Sequence, residues 1–391
     1  MIRPLSRATL LQIVLLTAAI APRGEAQRAW PGLTRRFDQF ARTAGAVGGS
    51  AVLVRNGEIV ARHHYGFADR AKRRRVTERT IYHWASITKT LTAIAVLQLR
   101  DRGLLSLDDR VTRWVPELRE IHATEGAADS ITLRMLLSHT SGLQAPTWPW
   151  TSGEPWEPFE PTRWEQLVAM MPYQRLLFRP GSRYGYSNPG YLYLARVVEK
   201  LTGDPWAVYV QKNLWMPLAM DRSYVGATPY HLAEDRSHGY RVKGESLTDG
   251  GADFDPGVTI PNSGWNAPVD DVARYVAFLT GFPSDSATRA RYDGVLRRRT
   301  LEEMWRPLVK TGAALPEFAA AGLGIFSLEA EGRQIIGHTG DQAGYRSYVY
   351  IDPAASSGIV LVFNTSNDDG AGAREMAALA AEAIRILRLS P

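Results

Sequence analysis

The fold is indicated first by residues 50–65, which read SAVLVRNGEIVARHHY. Two runs rich in apolar and β-branched residues, Ser50–Arg55 and Glu58–Tyr65, flank the dipeptide Asn56-Gly57. Asn-Gly between two such runs is a strong signal for a type I′ hairpin, because both central residues of that turn need a positive φ. The sequence therefore predicts two antiparallel strands near the N-terminus.

Helical patterns lie on both sides of this hairpin. An amphipathic pattern over Leu33–Ala44 ends at Gly45 and predicts a helix before the strands. A longer helix is predicted from near Ala85 to Gly103, and its apolar residues lie on more than one face. Such a helix is usually buried.

The end of the chain returns to strands. The predicted strands are Leu323–Glu329, Gln334–His338, Tyr345–Ile351 and Ile359–Asn364, and a helix over Ala371–Leu387 follows. Strands at both ends of a chain with a helical middle indicate an α+β fold. We expect an antiparallel sheet built from the N- and C-terminal segments and flanked by helices. Residues 27–104 and 263–391 would form this α/β domain, and residues 105–262 a mostly helical inserted domain.

Composition restricts the chemistry. The chain has 391 residues, of which 45% are hydrophobic and 22% charged, values typical of globular proteins. The absence of cysteine excludes disulfides, iron–sulfur ligation and thiol nucleophiles. Lysine accounts for only six of the 46 basic residues, so each lysine in an interesting position carries information.

Residues 1–26 have the pattern of a secretory signal peptide. Arg3 and Arg7 precede an apolar run over Leu10–Ile20, and Gly24-Glu25-Ala26 offers a small-residue cleavage site. An uncleaved N-terminal anchor is the alternative. A cleaved signal predicts a periplasmic or secreted protein with no stable membrane span. Cleavage would remove three arginines and one glutamate and so lower the formal charge from +6 to +4.

The basic surplus does not indicate a nucleic-acid partner. The densest basic run, Lys72–Arg75, lies between a strand pattern and a helix pattern, where a solvated turn is expected. No aromatic residues interleave with it, and no nucleic-acid-binding motif is present.

A segment rich in tryptophan and proline, residues 144–164, separates two motifs described below. It contains Trp148, Trp150, Trp156 and Trp164 among five prolines. Two interpretations remain open for it: a long loop packed on the surface, or an aromatic wall beside a substrate cleft.

The strongest chemical signal is Ser86-Ile87-Thr88-Lys89 at the predicted start of the buried helix. Residues three apart in a helix share a face, so Lys89 can lie against the Ser86 hydroxyl. The N–H of Ser86, at the helix N-terminus, is available to face an oxyanion. Burial would lower the pKa of Lys89 and allow it to accept a proton, which an arginine cannot do. A serine N-cap beside a structural lysine is the alternative interpretation.

Two further clusters carry suitable groups. Tyr186-Ser187-Asn188 lies in the stretch PGSRYGYSNPG before a helix expected near Tyr191, and His338-Thr339-Gly340 follows one predicted strand and precedes another. Each cluster alone is compatible with a structural role. The eight histidines form no convincing ligand cluster, so we expect neither a metal nor a cofactor.

Together, Ser86-x-x-Lys89, Tyr186-x-Asn188 and His338-Thr339-Gly340 resemble the three motifs of the penicillin-recognising serine hydrolases. Because the second motif begins with tyrosine, the chain is most similar to the branch of this family that contains class C β-lactamases, DD-peptidases and esterases. The flanking stretches WASITKT, LLSHTSGL and PLAM agree, and the likeness extends from about residue 33 to 385. The resemblance implies a β-lactamase/transpeptidase-like fold.

The resemblance also implies roles for these residues. Ser86 would be acylated, and Lys89 and Tyr186 would share its deprotonation and the protonation of the leaving group. Asn188 would orient Lys89 or an amide of the substrate. His338, Thr339 and Gly340 would line the carboxylate side of the cleft. The backbone N–H groups of Ser86 and Asp341 would form the oxyanion hole.

The resemblance implies a serine hydrolase acting on an ester or amide bond, as an esterase or a D-amino-acid peptidase does. The alternatives are a β-lactamase and a penicillin-binding, sensor-like protein that is acylated with little turnover. His338 stands where lactamases of the family carry lysine, and Asp341 adds an acid nearby. Both departures disfavour an anionic substrate and hence a dedicated β-lactamase. The oligomeric state is not indicated.

Overall fold

The computed structural model describes residues 24–123, 126–147, 161–253, 255–281, 285–312 and 318–389. Their main feature is a nine-stranded antiparallel sheet. Within it, the strand Gly48–Arg55 (β1), from the N-terminal part of the chain, pairs with Ser357–Phe363 (β14), from the C-terminal part. The α+β fold with a sheet assembled from both termini is therefore confirmed.

The strands of this sheet are β1 Gly48–Arg55, β2 Glu58–Asp69, β3 Arg74–Arg75, β9 Val309–Lys310, β10 Ala320–Ala321, β11 Phe326–Ala330, β12 Arg333–Gln342, β13 Tyr345–Asp352 and β14 Ser357–Phe363. Their order across the sheet is β3-β2-β1-β14-β13-β12-β11-β10-β9. Two small sheets contain β4 Ile81–His83, β5 Tyr224–Val225, β6 Tyr240–Lys243, β7 Ser246–Asp249, β8 Trp265–Pro268 and β15 Thr365–Asn367.

The helices are α1 Glu25–Thr43, α2 Thr88–Asp101, α3 Leu133–Leu137, α4 Trp164–Met170, α5 Pro189–Thr202, α6 Trp206–Val210, α7 Ile260–Ser263, α8 Val269–Thr280, α9 Ser286–Val295, α10 Arg298–Trp305 and α11 Ala373–Leu387. A π-helical turn, Gln211–Trp215, continues α6. A 3-10 turn, Ala85–Ile87, precedes α2.

The sheet is covered by helices on both faces, and the apolar pattern of its central strands explains why. In β14, Ile359 and Leu361 pack into the cluster beneath α1 and α11, whereas Val360 and Val362 pack into the cluster on the opposite face. Side chains alternate between the faces of a strand, so a strand that is apolar at every position is buried on both sides. The larger cluster, on the opposite face, contains most of α2 and α5 and places them beneath the functional site.

The predicted hairpin forms as expected. Asn56 and Gly57 both have a positive φ, and the pair Arg55 and Glu58 closes the two-residue loop. The first helix begins earlier than the predicted Leu33, at Glu25, and buries Ala26. The possible cleavage after Ala26 would therefore fall in its first turn. The rest of the predicted signal peptide, residues 1–23, lies outside the described residues.

Two strands are longer than the sequence pattern predicts. β2 continues past Tyr65 to Asp69, and β12 continues past His338 to Gln342. His338-Thr339-Gly340 therefore lies within a strand and not in a connection between strands. The predicted start of β11 at Leu323 is also wrong, because that strand begins at Phe326.

The region predicted as the helical insertion also contains strands. β6 pairs in parallel with β15, and β5 pairs with β8, so both strands contact segments from the C-terminal part of the chain. These pairings join the two predicted domains, whose boundaries at 104 and 262 remain a prediction. Within the described residues, no helix is long and apolar enough to cross a membrane.

Candidate active site

Ser86 lies in the 3-10 turn between β4 and α2. The preceding Ala85 has a φ of 47°, a conformation that is costly for a residue with a side chain and that bends the chain sharply. The Thr88 hydroxyl donates to the carbonyl of Ala85 at 2.6 Å and accepts from the N–H of Trp265 at 3.0 Å. The turn is thus held in place, and its first N–H groups have no acceptor within the helix.

Lys89 is completely buried in the first turn of α2. Its Nζ lies 3.1 Å from the Oγ of Ser86 and donates to the carbonyl of Asn262 in α7 at 3.0 Å. Burial lowers the pKa of Lys89 well below the ordinary lysine value. The helical spacing predicted the contact with Ser86, and the buried amine has the properties of a proton acceptor.

Tyr186 approaches Ser86 from the loop that precedes α5. Its hydroxyl forms a hydrogen bond with the side chain of Ser86. Burial raises the pKa of Tyr186, an effect that this hydrogen bond partly offsets, so the phenol keeps its proton at neutral pH. The Nζ of Lys89 lies 5.0 Å from the centre of the Tyr186 ring. The serine hydroxyl therefore has a buried amine and a protonated phenol beside it.

The C-terminal half of β12 passes directly behind the serine turn. β11 pairs with β12 only as far as Gly337, so the described partner strand along His338–Gln342 is β13. At Gly340 an added Cβ would lie 2.4 Å from the carbonyl oxygen of Trp84, so only glycine permits this approach. The unpaired edge of β12 is where the N–H of Asp341 would face a substrate oxyanion.

His338 is buried beneath the site. It packs against Phe326 at 4.9 Å, and its Nδ1–H donates to the carbonyl of Thr339 at 2.6 Å. Burial, assisted by the nearby Lys89, lowers the pKa of His338 to about 3, so the ring is neutral. His338 is not among the described residues that line the cavity beside Ser86, and its place at the substrate cleft stays a prediction. It supplies no positive charge to a substrate carboxylate.

A cavity of about 230 Å³ opens beside Ser86. Asn188, at the start of α5, lines it, and so does Asp341. Nζ of Lys89 donates to the carbonyl of Asn262. Both suggested roles of Asn188, orienting Lys89 or contacting an amide of the substrate, stay predictions.

The tryptophan- and proline-rich segment is described only at its two ends. Pro146 and Thr147 line the cavity, whereas Trp164 packs against Tyr193 at 6.2 Å. Trp148, Trp150 and Trp156 lie outside the described residues. The first residues of the segment thus border the cavity, and both interpretations of the remainder stay predictions.

Sequence reasoning missed several groups at this site. The carbonyl of Asn262 holds Lys89, and a backbone carbonyl has no sequence signal. Gln342 lines the cavity, and the Nε2 of the buried His83 lies 3.0 Å from its side-chain oxygen. Burial lowers the pKa of His83 to about 4, so a neutral ring holds Gln342 at the cavity wall.

A second serine–histidine pair is excluded as a reaction centre. The Oγ of Ser50 lies 2.9 Å from the Nδ1 of His64 and 2.8 Å from the hydroxyl of Tyr82, but Ser50 is fully buried. The neighbouring cleft of about 650 Å³ is larger than the cavity at Ser86 and is lined by exposed groups such as Arg42 and Arg75. Ser50 does not line that cleft. The cavity at Ser86 remains the candidate active site.

This fold and this site define the class of proteins with the β-lactamase/transpeptidase-like fold. The antiparallel sheet carries the third motif on β12, and the serine turn and α2 pack against it.

The chain belongs to the β-lactamase family, whose model matches residues 33–383. It is 37% identical over 212 residues to esterase EstB of Burkholderia gladioli, in an alignment that covers 50% of this chain and 52% of that protein. The chain thus spans about half the length of this curated relative.

Solved structures agree on the fold. A class C β-lactamase superposes with a TM-score of 0.75 at 20% identity, and the match covers 95% of this chain and 99% of the other. The D-amino acid amidase of Ochrobactrum anthropi SV3 superposes with a TM-score of 0.73 at 23% identity, covering 92% and 98% of the two chains. The resemblance to the penicillin-recognising serine hydrolases is confirmed at the level of family and fold.

Proposed function

We propose that this protein is a serine hydrolase that cleaves an ester or amide bond through an acyl-enzyme at Ser86. The observation that carries the proposal is the 3.1 Å contact between the Ser86 Oγ and the fully buried Nζ of Lys89. A lysine with a lowered pKa next to a serine hydroxyl is an activated-nucleophile arrangement. Similarity to esterase EstB further supports this chemistry.

The two proton-transfer groups take different roles in this mechanism. Lys89 is the base, because burial lowers its pKa and so favours the neutral amine, whose Nζ carries a lone pair. The Oγ of Ser86 attacks the acyl carbon while its proton passes to Nζ. The hydroxyl of Tyr186 bonds to Ser86, keeps its proton at neutral pH and transfers that proton to the leaving group as the acyl–heteroatom bond breaks. Lys89 then returns the proton to Tyr186. A water molecule then attacks the acyl-enzyme in the same way: Lys89 accepts its proton, Tyr186 protonates the Oγ of Ser86, and the carboxylic acid product is released. Lys89 again returns its proton to Tyr186.

The charge that develops on the acyl oxygen would be stabilised by the N–H groups of Ser86 and Asp341. The close approach of Gly340 to Trp84 brings the strand edge against the serine turn. Two N–H donors held by separate, rigid elements need no reorganisation when the oxyanion forms.

Labelling of Ser86 tests this proposal. A fluorophosphonate should add one adduct to the wild-type protein, and peptide mass spectrometry should place it on Ser86. Ser86→Ala should remove both the adduct and the turnover of a short-chain nitrophenyl ester. Ser138→Ala removes a buried serine hydroxyl outside the cavity and should still be labelled. A wild-type protein that stays unlabelled and inactive would contradict the proposed function.

We further propose that neutral or cationic substrates are preferred over carboxylates. Among the described residues that line the cavity, Asp341 is the one charged side chain. The Nε of Arg346 donates to the carboxylate of Asp341 at 3.0 Å, so this guanidinium is already paired with a protein carboxylate. Lys89 is the base and His338 is buried and neutral, so neither holds a substrate anion. This charge pattern favours an esterase or amidase over a β-lactamase.

Substitution of Asp341 should change the preference for substrate charge. We expect the wild-type protein to have a higher kcat/KM for a neutral nitrophenyl ester than for a carboxylate-bearing chromogenic cephalosporin. Asp341→Asn should shift the ratio of the two values about 3- to 5-fold toward the cephalosporin, as expected for one exposed charge interaction. The exposed Glu329→Gln, on β11, should leave the ratio unchanged. An unaltered ratio in Asp341→Asn would refute this role.

We also propose that the protein is exported to the periplasm or secreted, with a small molecule or peptide as its substrate. The proposal is supported by the basic and apolar pattern of residues 1–26.

A further inference from the structure

The motif LLSHTSGL contains a histidine that the proposed mechanism does not use. His139 is 1% exposed and has a φ of 56°, a conformation in which histidine and asparagine are tolerated better than most residues. It follows α3 and begins a segment, residues 139–145, that runs beside the loop carrying Tyr186. We call this segment the strap.

The strap holds the tyrosine loop through several backbone hydrogen bonds. The carbonyl of His139 accepts from the N–H of Gly185 at 2.8 Å, and the carbonyl of Thr140 accepts from Gly181 at 2.7 Å. Farther along, the carbonyl of Ala145 accepts from the N–H of Asn188 at 3.1 Å. Both ends of the Tyr186-Ser187-Asn188 motif are therefore tied to the strap.

The side chain of His139 makes two further contacts inside the motif. Its Nδ1 accepts from the N–H of Ser187 at 3.1 Å. Its ring stacks on the ring of Tyr186, with centroids 4.4 Å apart and planes inclined by 24°. One buried side chain thus contacts both the ring of the proposed catalytic tyrosine and the backbone of the next residue.

The ring of His139 is itself well held. Its plane lies within 2° of the ring of Phe326, at a centroid distance of 5.9 Å. Burial lowers the pKa of His139 well below the ordinary value, with Lys89 and His338 adding to the effect, so the imidazole is neutral. Because Nδ1 accepts a hydrogen bond, the proton must be on Nε2.

We propose that His139 is a positioning residue that fixes the Tyr186 hydroxyl against Ser86, by stacking on its ring and by accepting the N–H of Ser187. This inference rests on the proposed function, in which Tyr186 transfers a proton. His139 touches no substrate in this scheme and acts by positioning Tyr186.

Two substitutions separate the contacts. His139→Asn places an amide oxygen near the position of Nδ1, tolerates the positive φ, and removes the stacked ring. His139→Ala removes both contacts. Ser138→Ala is the matched control: it deletes a buried hydroxyl that donates to the carbonyl of Arg134 and bonds to Thr140, one residue from His139.

Steady-state kinetics on a nitrophenyl ester should show a loss in kcat with KM changed less than about 3-fold. We expect kcat to fall about 100-fold in His139→Ala, as for a misplaced catalytic group, and about 10-fold in His139→Asn. Ser138→Ala should stay within about 2-fold of the wild type, even where its unfolding temperature falls. Loss of stability alone would not produce this ranking of kcat, in which the two His139 variants lose activity and Ser138→Ala does not.

The pH profile adds a readout that a general loss of stability would not alter. The titratable groups around the ring are Lys89, Tyr184, Tyr186, Tyr191 and His338. The space left by the ring in His139→Asn admits water next to Lys89 and raises its pKa toward the ordinary value. The acid limb of kcat/KM should therefore move to higher pH. A folded His139→Ala protein with the wild-type kcat and acid limb would overturn the inference.

Nuclear magnetic resonance on the same proteins separates this inference from the proposed function. The amide of Ser187 should be protected from exchange in the wild type and in His139→Asn, and exposed in His139→Ala. The ring-current shift of labelled Tyr186 should disappear in both variants. If fluorophosphonate fails to label even the wild type, the proposed function fails, and these signals still decide whether His139 positions Tyr186. Unchanged Ser187 and Tyr186 signals in His139→Ala would refute the positioning role.

Discussion

Lys89→Arg should lose acylation of Ser86 by about 10²- to 10⁴-fold, although it replaces one basic side chain by another. Arginine does not deprotonate in a protein, so the proton of Ser86 would have no acceptor at this position. The measurement is the second-order rate constant for fluorophosphonate labelling. Because Nζ of Lys89 is fully buried between Ser86 and Asn262, the larger guanidinium also strains the packing.

Lys89→Met separates the loss of the base from that strain. Methionine is unbranched, similar in length and apolar, so it fills the same space without a proton acceptor. We expect it to be as inactive as Lys89→Arg but at least as stable as the wild type, because burial of an amine is costly. A methionine variant that is labelled at the wild-type rate would remove Lys89 from the mechanism.

The lowered pKa of Lys89 also predicts a pH dependence of activity and of stability. Acylation needs the neutral amine, so its rate should fall as the pH drops below the pKa of the folded protein, which lies well below the ordinary lysine value. Between these two pKa values the unfolded chain binds a proton that the folded protein does not. Stability should therefore rise with pH across this window, and Lys89→Met should lack that contribution.

Local patterns predicted the parts of the fold whose signals are short in sequence. Alternating and continuous apolar runs identified the strands near both termini, and Asn56-Gly57 identified their hairpin. The extension of β12 escaped prediction because its residues are polar and because Ala343-Gly344, the turn into β13, has a positive φ at an alanine. An alanine gives no signal for that conformation, which the pairing of β12 with β13 imposes. The pairing of β6 with β15 joins residues too distant in sequence for any local pattern.

The contacts in the site also divide into those that a local sequence pattern predicts and those that depend on how distant segments pack. The helical spacing of Ser86 and Lys89 was sufficient to predict their contact, because both residues belong to one continuous segment. The carbonyl of Asn262, which holds Nζ, comes from α7, and its position depends on the packing of α7 against α2. His139 was quoted as part of a motif, but its contact with the Tyr186 loop depends on two segments meeting in space. His338 was expected at the cleft, and its burial against Phe326 could not be inferred from sequence.

Gly340→Ala should reduce both activity and stability. An added Cβ would lie 2.4 Å from the carbonyl oxygen of Trp84 and 2.6 Å from the Oγ of Ser347. Trp84 cannot move away freely, because its N–H donates to the carbonyl of Trp265 at 2.8 Å and its indole is fully buried. β12 and the serine turn must therefore separate, which moves the N–H of Asp341 relative to Ser86. We expect kcat/KM to fall about 100-fold and the free energy of unfolding by about 1–3 kcal/mol.

Gly294→Ala is the matched control for this substitution. Gly294 lies in α9, and an added Cβ there would have no neighbour within 4 Å among the described residues. The same chemical change should stabilise that helix by about 0.5–1 kcal/mol and leave kcat/KM unchanged. Chemical denaturation and ester kinetics on the two variants give the comparison. If Gly340→Ala behaves like Gly294→Ala, the strand edge does not need its close approach to the serine turn, and the proposed oxyanion hole at Asp341 loses its structural basis.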